Sequence, residues 1–170
     1  KDTRLYAYSN ICKFISYIHL VAEGFSIDNY LQGKFSSNNI SVVADIIALE
    51  IDEGNDKVLS EIREIVYGDN NAAVLSREII KGLLMSQNGE AHKMVGDLLM
   101  AAKLQEGLRQ VIVECMDEGS IEGFLYIIKI ILENNLERFS SVVRALDVWA
   151  GLDILTEKPA VIKKCLEIGY

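Results

Sequence analysis

Apolar residues recur at intervals of three and four along almost the whole chain, the spacing of one buried helical face. Leu5, Tyr8, Ile11, Cys12, Ile15, Ile18 and Ala22 form one stripe, and Val42, Val43, Ile46, Ile47 and Leu49 begin another. Further stripes run through Val58, Leu59, Ile62, Ile65 and Val66, and through Met94, Val95, Leu98 and Leu99. β-Branched residues cluster in Val111–Val113 and Ile127–Ile131, but both runs lie inside segments of helical length. A strand would need turn residues much closer by. The pattern predicts an all-α protein.

Glycines punctuate these segments. Gly54, Gly89, Gly119 and Gly151 each close an apolar segment, at spacings of 35, 30 and 32 residues. Each is expected to end a helix in the left-handed conformation. On that basis Gly119 should have a positive φ, and Gly123, inside the next helix, should accept alanine without loss of stability unless a neighbouring helix packs against its bare backbone. A second apolar segment follows each glycine, closed in three cases by polar breaks at 68–71, 103–106 and 133–135. Helix pairs therefore start near Asn39, Asn71, Gln105 and Leu136. The second helices align, with Val58-Leu59, Met94-Val95 and Phe124-Leu125 at matching offsets, within one residue, from their glycines. A helix pair repeated every thirty-odd residues predicts an α-solenoid of HEAT-like antiparallel pairs over residues 39–170. The fourth pair is irregular, restarting at Pro159.

Residues 1–38 differ, holding seven of the chain's aromatic residues. A helix to about Ala22 and a short one near Asp28–Leu31, capped by Ser26, are expected there. This part reads as a helical cap or the edge of a preceding repeat.

Composition narrows the function classes. Half of the 170 residues are hydrophobic, with 12 Gly and one Pro, which excludes a disordered or collagen-like chain. Seventeen basic against 25 acidic side chains give a net charge of −8, shared evenly between the halves. With no basic arm, neither nucleic acid nor an anionic membrane surface is expected as a partner. Cys12, Cys115 and Cys165 are scattered and odd in number, the pattern of reduced, buried thiols in a cytoplasmic protein. No signal peptide or membrane span is legible. The chain lacks an initiator Met, and a domain cut from a longer protein is the expectation. Its terminal stripes, Leu5–Ala22 and Val161–Ile168, together with a mean hydropathy of +0.19, predict exposed apolar ends and self-association.

The search for chemistry returns little. His19 and His92 stand in no metal-binding frame, and phosphate-cradling and nucleophile-elbow motifs are absent from the sequence. No cofactor, no metal site and no catalytic residues are expected. The sharpest local feature is the acidic stretch 45–69, with Asp45, Glu50, Asp52, Glu53, Asp56, Glu61, Glu64 and Asp69 against Lys57 and Arg63. It fails as a calcium loop, because Arg63 stands where a bidentate Glu is needed. Charge runs of this kind are usually solvated faces. The alternative is a metal-assisted hydrolase built on Asp52, Glu53 and Asp56. Among the basic residues Arg109, Arg138 and Arg144 stand out, their stems expected to pack along a groove.

Residues 104–110 (Leu-Gln-Glu-Gly-Leu-Arg-Gln), 138–146 and 149–152 together resemble a helical-repeat region of large bacterial proteins. Those proteins form the molybdate-metabolism-regulator-like (MolR-like) group. The resemblance covers mainly residues 70–152, and it implies a HEAT-like module within a large cytoplasmic protein, with no active-site residues. The reading that follows is a non-catalytic protein-interaction or scaffolding module. Its partner would be another protein or another domain of the same chain. Glu61, Glu64, Asp97, Lys129, Arg138 and Arg144 are the candidate interaction surface, mixed in sign. Glu64 and Lys129, for example, fall at equal offsets from Gly54 and Gly119.

Overall fold

The computed structural model describes residues 3–37, 40–68, 75–101 and 106–136. Among them every regular element is helical. Helix α1 spans Thr3–Ala22, α2 Ile27–Leu31, α3 Val43–Asp52 and α4 Asp56–Tyr67. Helix α5 spans Arg77–Met85, α6 Gly89–Ala101, α7 Glu106–Cys115 and α8 Ile121–Glu133, with a short 3-10 helix, Met116–Glu118, between the last two. The β-branched runs at 111–113 and 127–131 are helical as expected, because their apolar residues fall on a helical face and pack there. Ser26 caps α2, its side chain accepting from the Asn29 amide. The pair starts near Asn39, Asn71 and Gln105 lie outside the described residues; the helices that follow them begin at Val43, Arg77 and Glu106.

The connections α3–α4, α5–α6 and α7–α8 are short. Helix α5 packs against both α3 and α7, and α6 packs against both α4 and α8. Helix α2 lies against α4. One continuous core runs between these helices, from Leu31 and Val43 through Ile62, Leu83 and Val95 to Ile127 and Leu136. Gly82 lets α5 approach α3 closely, since a Cβ there would stand 2.7 Å from the Ile47 side chain.

The glycines do not set the repeat. Of the four, Gly54 alone is a described left-handed turn residue, at φ +83°. Gly89 is the first residue of α6 rather than a helix end. Gly119 has φ −73° and extended backbone, so its positive-φ assignment is corrected. Its role is steric, because a Cβ there would meet the Leu84 carbonyl oxygen at 3.1 Å. Gly151 and Pro159 lie outside the described residues.

What repeats is the N-cap. Asn55, Asn88 and Ser120, 33 and 32 residues apart, each accept a hydrogen bond from an amide of the first turn that follows. Such caps satisfy amides that a helix start leaves orphaned. Counting from each cap, the third, seventh and eleventh residues are buried in every case. They are Val58, Ile62 and Val66 in α4, Ala91, Val95 and Leu99 in α6, and Gly123, Ile127 and Ile131 in α8.

Candidate functional site

Four residues of the expected interaction surface are described, and all sit on the second helices. Glu61 and Glu64 are on α4, Asp97 on α6 and Lys129 on α8. Arg138 and Arg144 lie outside the described residues. Glu64 and Lys129 are exposed, and Lys129 stands 3.8 Å from Glu133 one turn on. Glu61 is partly buried, 3.8 Å from Lys57. Asp97 accepts a hydrogen bond from the Tyr67 hydroxyl at 2.6 Å, so it ties α6 to α4. Burial and that bond push the Tyr67 hydroxyl up to about 12. Arg63 pairs with Glu90 across the same two helices. The exposed charges of α4, α6 and α8 are mixed in sign, with Lys57, Lys93 and Lys129 set among Asp56, Glu64, Glu122 and Glu133.

The acidic stretch is dispersed by the fold. Asp45 pairs with Lys13 at 2.6 Å, joining α3 to α1. Glu50 accepts from the Asn55 side chain at 2.7 Å, and Asp52 accepts from the Gln87 amide at 2.8 Å. Asp56 opens α4 beside its cap, where the helix dipole favours a negative charge. Among the described residues no three His, Cys, Asp or Glu side chains come close enough to hold a metal ion. The carboxylates of Asp52, Glu53 and Asp56 are not brought together as a hydrolytic centre would need.

Basic residues serve the first helices in the same way. Arg77 reaches Glu114 at 2.8 Å, and Lys81 pairs with Glu118. The Glu114 carboxyl is held below its ordinary range by hydrogen bonds from Gln110 and Arg77. Arg109, its stem expected to pack along a groove, is fully buried at 1% exposure. It faces inward at a register position of α7 close to Ile112 and Val113, which only the packing of α5 and α6 against that face reveals.

Sequence reasoning missed one cluster altogether. Ser86 and His92 are buried, and Ser120 stands beside them. The His92 Nε2 lies 2.8 Å from the Ser86 carbonyl oxygen and 3.4 Å from the Ser120 Oγ. A carbonyl only accepts, so Nε2 carries the proton and donates it there. It therefore has no lone pair with which to take a proton from Ser120. Ser120 in turn directs its own hydroxyl at the Leu84 and Ser86 carbonyls, each 3.0 Å away, and accepts from the Gly123 amide. Ser and His are neighbours here without forming a nucleophilic pair. Their work is structural: carbonyls left orphaned at the end of α5 are satisfied by the start of α8. The sequence signal was the repeated polar residue before each second helix, and nothing in it pointed to carbonyls 34 and 36 residues away.

Of the cysteines, Cys115 is buried, and burial pushes its thiol up to about 11, far from a nucleophilic thiolate. Cys12 is exposed on α1, against expectation, because the face of α1 that carries it is not covered. No helix of the described residues is long and apolar enough to cross a membrane. Trp149 and most of the stretches that carry the family resemblance lie outside the described residues. Compared with known proteins, residues 1–170 match the model of DUF5724, a family of unknown function. No curated protein and no solved structure matches the chain.

Proposed function

The chain belongs to the DUF5724 family, whose function is unknown, and from that premise we propose that it is a protein-interaction or scaffolding module without catalytic chemistry of its own. In this reading the helix pairs stack as a HEAT-like solenoid, the second helices lining an extended face. The MolR-like resemblance fits the same picture, a cytoplasmic repeat segment serving other domains of a large protein.

The observation that carries the reading is how the polar groups are spent. Carboxylates, guanidinium groups and the Ser–His cluster are used between helix pairs: Asp52 to Gln87, Arg63 to Glu90, Tyr67 to Asp97, Arg77 to Glu114 and Ser120 to Leu84. Repeats that cannot bury their apolar stripes alone need such cross-links to their neighbours. The exposed charges on α4, α6 and α8 are mixed in sign. A protein surface of matching pattern suits them, whereas a phosphate backbone does not.

The test is photo-crosslinking from Glu64 and Lys93, with Gln110 on α7 as the comparison position. Both second-helix positions should capture the same protein, and Glu64→Lys should reduce the yield several-fold. Labelled DNA and RNA should not bind at moderate salt. Tight nucleic-acid binding, or capture that ignores both position and charge reversal, overturns the proposal.

A further inference from the structure

Among the described residues, helix α1 is the least covered element. Of its described side chains, Leu20 alone is buried, and its link to α3 is the Lys13–Asp45 pair. Helices in proteins draw most of their stability from packing an apolar face, and the described part of α1 has little of it. Yet α1 carries a continuous apolar seam. Ile11, Phe14, Ile15, Ile18 and Val21, with Tyr17 at its flank, are between 44 and 64% exposed. Their spacing of three and four residues, over about one and a half heptads, is the pattern by which one helix packs along another.

We infer that this seam is a homodimer interface, α1 of one copy lying along α1 of a second. Three observations choose a second copy as the occupant. The area suffices: a large side chain carries about 150–250 Å² in all, so six half-exposed ones leave roughly 600 Å² free. Two copies would bury about 1,200 Å², the lower edge of a specific interface. The charge permits it. A chain of net charge −8 repels its own copies, but Lys13 is the one charged residue between Asn10 and Ala22, and it is engaged by Asp45. The seam is also self-complementary, apolar against apolar, as a two-fold interface requires. This interface is separate from the face of α4, α6 and α8, and its fate does not bear on that proposal.

Sedimentation velocity of the protein from about 1 to 300 µM tests it. The mass should rise from 19.0 kDa toward twice that value with increasing concentration. Ile15→Asp should raise the dissociation constant at least tenfold while the circular dichroism stays helical. Ile18→Ser serves as the gentler variant should Ile15→Asp unfold α1. Leu49→Asp, on an exposed apolar residue of α3, should leave the dimer intact. A monomer throughout the range, as a segment of the same chain covering α1 would give, overturns the inference. So does a dimer indifferent to both α1 substitutions.

Discussion

Replacing Gly123 by alanine puts a single methyl group at the tightest point between helix pairs. In an exposed helix interior the change stabilises by about 0.5–1 kcal/mol, because alanine loses less conformational entropy on folding. At Gly123 the new Cβ would lie 2.5 Å from the Leu84 carbonyl oxygen, and 3.1 Å from both the His92 Nε2 and the Ser120 Oγ. Backbone oxygen cannot swing aside as a flexible side chain can, so α8 must retreat from the end of α5. That movement stretches the Ser120 amide bond to Leu84, now 2.8 Å, and the two bonds of the Ser120 hydroxyl to carbonyls, now 3.0 Å. Overpacking of this kind, with the loss in hydrogen bonding that it brings, costs about 1–3 kcal/mol or somewhat more. Set against the gain in propensity, the net loss should be about 1–3 kcal/mol. Gly107 supplies the comparison, since it lies in α7 with nothing within 4 Å of its added Cβ. Gly107→Ala should be neutral or stabilising by up to about 1 kcal/mol. Urea melts at constant m-value give both numbers from the shift in midpoint. If Gly123→Ala were as stable as Gly107→Ala, the close approach of α8 to Leu84 would be wrong, and the buried Ser–His cluster with it.

Three further outcomes are expected. Gly54→Ala should cost about 1–2 kcal/mol through backbone strain alone, because φ is +83° and nothing lies within 4 Å, whereas Gly107, equally open, has no positive φ and should carry no such penalty; denaturant melts compare the two. Asp52→Ala should cost about 0.5–1.5 kcal/mol by releasing the Gln87 amide, while the adjacent exposed Glu53→Ala stays within about 0.5. Cys12 should be alkylated at once at pH 7.5 and Cys115 only on unfolding, read by mass spectrometry of the modified peptides. The Cys115 thiol is pushed up to about 11 in the folded state, so its contribution to stability is complete below its ordinary value near 9. That contribution is lost as pH rises through about 11, and Cys115→Ala should flatten the fall in thermal midpoint over this window.

The sequence alone determined the helical class, because apolar residues at three- and four-residue spacing report a buried stripe whatever packs against it. It also determined local ends: Ser26 as the cap of α2, and Gly54 as a left-handed turn, both set by atoms within a few residues. Only the tertiary structure decided which punctuation repeats. Gly119 and Gly123 look like a turn and a tolerant helix position, until the Leu84 carbonyl arrives from α5 and makes both positions steric. Arg109 reads as a cation whose stem packs along a groove, and the extent of its burial depends on α5 and α6 covering α7. The acidic stretch reads as one patch, but the turn between α3 and α4 sends Asp45, Asp52 and Glu61 to separate partners. The stripe of α1 looks like any core stripe in the sequence, and it is the absence of a packed helix along it among the described residues that leaves it exposed. Short-range geometry is written into residue order, whereas contact between elements thirty residues apart depends on how the helices pack on one another.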